Sequence, residues 1–174
     1  MVRDVLPEAR WTRNDMPLLL KPYYGFAGTT LGSRLVQRVI APIDDWLLRN
    51  SGGRATIVGS AAMRVLVLTT TGRKSGRRRD NALTYIRDND RLFVLGSNFG
   101  QPHHPAWSSN LLAHPEATVT IAGSVIPITA TLLTGDQREH ALALFLALSI
   151  YRRYQSRTDR ELRVFALRRR AENP

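Results

Sequence analysis

From Val65 to Thr71 the chain is apolar and β-branched with no helical period. Beyond a tip flanked by Gly72 and Gly76 a second strand-like run occupies residues 80–86, so the stretch predicts a β-hairpin. Residues 92–98 predict a third strand, joined to the second across the Asp88-Asn89-Asp90 turn. Residues 117–121 and 125–132 predict a further hairpin around Ala122-Gly123-Ser124. Pro127 has no N–H to give to a ladder, which predicts an edge or a bulge in that strand. Residues 161–167 alternate polar and apolar, as a closing strand does.

Helical spacing occurs elsewhere. Leu31, Leu35, Val36, Val39, Ile40, Ile43, Trp46 and Leu47 predict an amphipathic helix after residue 29, restarted at Pro42, where Asp44 and Asp45 suit a first turn. A short helix is expected within 103–115, with Pro105 at its start and Pro115 beyond its end. Thr134-Gly135-Asp136-Gln137 has the form of a capping box opening the last helix, with Ala141, Leu144, Phe145 and Leu148 as its buried stripe. Residues 1–28, with Pro7, Pro17 and Pro22 among scattered aromatics, read as an irregular arm, and residues 29–174 as one domain. The fold class is mainly β with helices (α+β). Consecutive antiparallel strands with helices between and after them predict a small barrel or strongly coiled sheet.

Composition narrows the partners. With 174 residues, 43% of them hydrophobic, the chain suits a single globular domain with a real core. The absence of cysteine excludes disulfides, thiol catalysis and thiolate metal sites. A net charge of +11, almost wholly from arginine, predicts attraction to anions: a phosphorylated cofactor, nucleic acid or an acidic membrane surface. The first 21 residues lack the apolar core of a signal peptide, and the longest apolar run, residues 141–148, is too short to cross a bilayer. The expected location is the cytoplasm. The helix after residue 29 is read first as packed on the core, and second, with the arm before it, as a peripheral contact with an anionic membrane.

The hairpin tip concentrates the chemistry. Arg73, Lys74, Arg77, Arg78 and Arg79 surround Ser75 and two glycines, giving outward backbone amides and forked donors that fit an anion. A nucleotide-hydrolase phosphate loop is excluded, because Arg73 precedes Lys74 and a strand follows. A dinucleotide fingerprint is excluded too, since no Gly-x-Gly-x-x-Gly opens a helix. An anionic small molecule or nucleic acid remains, against the plainer reading of a solvated basic turn. His103 and His104 read as a loop and helix start: adjacent histidines rarely share one ion, and no carboxylate or third histidine stands at useful spacing, so no metal is assigned.

Leu68 to Gly76, then Arg79-Asp80-Asn81-Ala82-Leu83, Gly96-Ser97-Asn98 and His104-Pro105-Ala106-Trp107 through Asn110-Leu111 resemble the deazaflavin-dependent nitroreductase family. The likeness runs from about residue 51 to the C-terminus and includes residues 151–160. The resemblance implies a split β-barrel, similar to proteins that bind flavin mononucleotide. It implies coenzyme F420, an 8-hydroxy-5-deazaflavin, and hydride transfer from its reduced form to a quinone, nitroaromatic or enone-like acceptor. By position, Arg73, Lys74, Ser75 and Arg79 would hold the phosphate and acidic tail. Asn81, Ala82, Leu83, Thr84, Ser97 and Asn98 would line the ring and its side chain, with Ala106, Trp107 and Asn110 completing the pocket. Tyr151, Tyr154 and Ser97 would face the acceptor as catalytic groups. Ala82 stands where relatives commonly carry proline, Leu148 where well-known members carry a tyrosine, and Asn98 replaces a basic residue of some members.

Read without the resemblance, Trp107, Leu83, Tyr151 and Tyr154 are packing residues. The competing functions are a barrel that binds flavin mononucleotide or haem, or carries the deazaflavin without catalysis, and a basic nucleic-acid-binding module. No aromatic ladder accompanies the strand arginines, which weighs against nucleic acid as a partner. The family includes monomers and similar barrels pair as homodimers, so both states are expected.

Overall fold

The β-branched run forms strand β1 (Val65–Thr71), which pairs with β2 (Arg78–Asp88) as an antiparallel hairpin, Thr71 opposite Arg78 and Val65 opposite Thr84. These coordinates come from a computed structural model that describes residues 64–89 and 91–170, together with Ile43 and Trp46. Strand β3 (Arg91–Leu95) follows, then a 3₁₀ turn (Asn98–Gly100), helix α1 (Ala106–Ala113), β4 (Glu116–Ile121), β5 (Ser124–Leu132), α2 (Gly135–Leu146), α3 (Ser149–Gln155) and β6 (Val164–Arg169). The six strands close into a barrel in the order β1-β2-β3-β6-β5-β4, every pairing antiparallel.

Strand alternation sorts the apolar residues into two cores. Leu66, Leu68, Tyr85, Leu92, Val94, Val119, Ile126, Ile128, Phe165 and Leu167 share one cluster with Trp107 and Leu111, so α1 packs onto the barrel interior. The intervening positions of β3 and β6, Phe93, Leu95, Val164 and Ala166, belong to a second cluster with Ala141, Leu142, Phe145, Ile150, Tyr151 and Tyr154 of α2 and α3. Both faces of β3 and β6 are therefore covered, which is why their apolar residues run without a polar alternate. Burying Phe145 and Phe165 completely is worth on the order of 2 kcal/mol each.

The structure corrects several expectations. The third strand ends at Leu95, because Asn98 and Phe99 take positive φ (45° and 55°), which no strand accommodates. Pro127 is neither on an edge nor in a bulge. It pairs with Thr118, and its carbonyl accepts from the Arg170 N–H at 3.0 Å. The β5–β6 pairing starts at Ile128, so the missing proline donor falls at the ladder's end. Thr134 does precede α2, but its side chain makes no capping bond. The last helical segment is two helices, with Leu148 extended between them and only half-buried. Arg168 and Arg169 belong to the closing strand. Ile43 and Trp46 are helical as expected but exposed, at 46% and 62%. The arm and the rest of the amphipathic segment lie outside the described residues.

Candidate functional site

The β1–β2 loop is built to be tight. The Gly72 N–H donates to the Arg77 carbonyl at 2.8 Å, while the Gly72 carbonyl accepts from the N–H groups of Ser75 (3.2 Å) and Gly76 (2.7 Å). A Cβ on Gly72 would stand 2.7 Å from Ser75 Oγ and 3.1 Å from the Arg77 carbonyl oxygen, so a larger residue would have to turn the serine aside and push that carbonyl back. The turn pushes its side chains outward, and residues 73–80 are all exposed. Among the described residues, the side chains of Arg73, Lys74, Arg77, Arg78 and Arg79 make no ion pair or hydrogen bond.

Between this loop and α1 lies a cleft of about 390 Å³, lined by Gly72, Arg73, Lys74, Ser75, Arg79, Asp80, Asn81, Ala106, Trp107 and Asn110. Eight of the thirteen residues the sequence assigned to a ligand meet here: Arg73, Lys74, Ser75, Arg79, Asn81, Ala106, Trp107 and Asn110. Gly72 and Asp80 line it as well. Asp80 was not assigned by the sequence, and its position between Arg79 and Asn81, both assigned, was the available signal. Asn110 joins the cleft wall to the loop: its Oδ1 accepts from the Arg73 N–H at 3.1 Å, and its Nδ2 donates to Thr70 Oγ1 at 3.0 Å.

The other assigned residues stand apart from this lining. Ala82, Leu83 and Thr84 continue along β2, half-buried; Leu83 packs on the barrel interior, and the Thr84 side chain stands beside the Tyr151 hydroxyl on the opposite face. Tyr151 is buried in the outer core, edge-on to Phe145 (5.3 Å between ring centres) and to Tyr154 (6.0 Å). Burial pushes its phenol up to about 12, the Thr84 bond acting in the opposite sense. Tyr154 packs edge-on against Phe99. The Asn98 amide donates to Gln101 Oε1 at 3.3 Å and to the His103 carbonyl at 3.0 Å, holding its own loop.

Ser97 belongs to a second cluster that sequence reasoning did not single out. Arg160 donates to the carbonyls of Ser97 (2.6 Å) and Gln101 (2.9 Å) and to His104 Nδ1 (3.2 Å). A guanidinium only donates, so His104 Nδ1 must offer its lone pair. Burial first, then the charges of Arg163 and Arg160, hold the His104 imidazole below its ordinary value, against Glu161. Burial and the Arg163 charge likewise lower Arg160. Arg163 in turn donates to the hydroxyls of Ser108 and Ser109 on α1, both at 3.3 Å. Among the described residues no group of three or more His, Asp or Glu could hold a metal ion.

The described strands form a six-stranded antiparallel barrel whose cationic loop overhangs a tryptophan-walled cleft, an arrangement suited to an anionic small molecule. The sequence signature of the F420H(2)-dependent quinone reductase family matches residues 42–169, and the chain belongs to that family. It is 31% identical over 132 residues to an F420H(2)-dependent quinone reductase of Mycobacterium tuberculosis (strain ATCC 25618 / H37Rv), covering 74% of this chain and 89% of that protein. Among solved structures it is similar to an F420-H2 dependent reductase at 36% identity and TM-score 0.54, over 59% of this chain and 92% of the other. A structure described as a domain-swapped dimer is similar at 32% identity and TM-score 0.56, over 72% and 96%. The barrel is thus the split-barrel fold of these reductases.

Proposed function

We propose that this chain binds reduced coenzyme F420 in the cleft between the β1–β2 loop and α1 and passes its hydride to a small activated acceptor of the quinone class. The observation that carries the reading is the loop's five cationic side chains, none of them neutralised among the described residues. Clustered exposed cations attract anions, and a phosphorylated, carboxylate-bearing tail meets several of them at once. Arg73, Lys74, Ser75 and Arg79 hold the anionic end, with Trp107 and Ala106 as the apolar wall and Asn81 at the rim. When bound, the reduced deazaflavin supplies a hydride, which with one proton converts a quinone to a hydroquinone. The barrel contributes orientation and shelter from water. Tyr151 backs β2 from the outer core, its hydroxyl beside Thr84.

The test is a titration of the purified protein with oxidised coenzyme F420 and with flavin mononucleotide, followed by the loss of reduced-deazaflavin absorbance when menadione or a nitroaromatic is added. Saturable binding of the deazaflavin, with menadione-dependent oxidation, is the expected result. Binding of flavin mononucleotide or duplex DNA in place of the deazaflavin overturns the reading.

A further inference from the structure

Only three polar side chains are buried among the described residues, and two of them, Thr70 (1% exposed) and Asn110 (6%), are bonded to each other beneath the cationic loop. Thr70 Oγ1 receives the Asn110 Nδ2 proton at 3.0 Å and donates its own to the Arg79 carbonyl at 3.4 Å. Asn110 Oδ1 takes the Arg73 N–H at 3.1 Å. One chain of bonds therefore reaches from the stem of the loop on β2, through Thr70 on β1 and Asn110 on α1, to the loop's first cation. The orientation of the amide is forced, because the Arg73 N–H can only donate and must face oxygen.

From this geometry we infer that Thr70 is a positioning residue for anion binding: it acts through Asn110 to fix the pose in which Arg73 and Arg79 face the cleft. Thr70 is not among the residues lining the cleft. Its role follows from a constraint on the amide. Without the Thr70 oxygen, Asn110 Nδ2 is buried with no acceptor, the amide is held by the Arg73 bond alone, and any rotation that gives Nδ2 a new partner draws Oδ1 away from the Arg73 N–H. Both the Arg73 backbone and the Arg79 carbonyl then lose the link that ties them to α1 and its Trp107. A hydroxyl is thereby required at position 70 on the interior face of a strand, where Leu66 and Leu68 supply apolar contacts. The inference rests on the proposed binding of the coenzyme by the loop.

Thr70→Val keeps the side-chain shape and removes the hydroxyl, while Thr70→Ser keeps the hydroxyl. Affinities are read for two ligands, oxidised coenzyme F420 and its ring-and-ribityl fragment without the phosphate. For Thr70→Val the intact coenzyme is expected to bind about 10-fold more weakly, the fragment with unchanged affinity, and Thr70→Ser to restore the parent value for the coenzyme. Loss of affinity for both ligands alike, or for neither, overturns the inference, as does a failure of serine to rescue. Arg73→Ala is measured alongside. If it leaves coenzyme affinity unchanged, the loop's assignment has failed; if it weakens binding while Thr70→Val does not, the relay alone has failed. Urea unfolding of Thr70→Val guards against misfolding.

Discussion

Two stretches of this chain are rich in arginine and are put to opposite uses. In residues 73–79 the cations point outward from a tight turn and find no partner among the described residues. In residues 152–163 the arginines are consumed internally. Arg152 donates to the carbonyls of Leu146 and Ala147, Arg157 lies over the Tyr154 ring at 5.8 Å, and Arg160 and Arg163 tie the segments after β3 and on α1 together. Composition does not separate the two. The difference is where the backbone leaves acceptors: a barrel hairpin satisfies its own carbonyls, whereas the loop after β3 and the end of α2 offer bare ones. Charges the fold does not use are the ones left for a ligand.

The widest separation between the two stretches comes from reversing charge. Arg73→Glu with Arg79→Glu is expected to weaken coenzyme binding at least about 100-fold, which is about 2.7 kcal/mol. The same double variant should unfold within about 0.5 kcal/mol of the parent in urea, because no internal contact of either side chain is lost. Large destabilisation with intact binding would mean that the loop belongs to the structural class and the proposed site is misplaced. Binding should also weaken steeply with salt, as expected for clustered surface cations meeting an anion.

Arg160→Met tests the other half. The methionine keeps most of the stem and removes three hydrogen bonds that hold Ser97, Gln101 and His104. Leaving two carbonyls without their donor is expected to cost about 2 kcal/mol in urea unfolding. Coenzyme affinity should fall by less than about 3-fold, because the cleft-lining residues keep their contacts and 3-fold is well below the worth of one charge-assisted bond. An unfolding midpoint equal to the parent's would show the clamp to be ornamental.

How far the sequence carries one toward this division is uneven. The β-branched runs and their turns placed four of the six strands to within two residues, because strand propensity and alternation are local signals, while the closing strand begins at Val164 rather than residue 161. The third strand was drawn too long because Asn98 and Phe99 adopt left-handed backbone for a tertiary reason, the docking of their turn against Tyr154. The loop's outward-facing cations were legible from Gly72 and Gly76. The burial of Tyr151 beside Phe145 and Tyr154 was not, since a tyrosine at helical spacing reads the same on a packed face and beside a cleft. Thr70 hides in a run of three threonines. Its phase with Leu66 and Leu68 marks it as the interior one, which is the signal that could have found it.

The finest distinction is one of pH. His104 accepts from Arg160 only through a neutral Nδ1, and protonation would both remove that lone pair and set a cation beside Arg160 and Arg163. Its folded value lies below the ordinary 6.5, so the unfolded chain takes up the proton first as pH falls. The stability this group contributes is therefore complete above about pH 6.5 and is lost progressively below it. His104→Gln does not titrate, so its urea midpoint should decline less than the parent's between about pH 7 and pH 5. Arg160→Met should keep a reduced version of the parent's slope, because burial, the larger cause, survives while one of the two neighbouring charges is gone. Superimposable pH profiles for parent and His104→Gln would detach the imidazole from the clamp and leave Arg160 holding its two carbonyls alone.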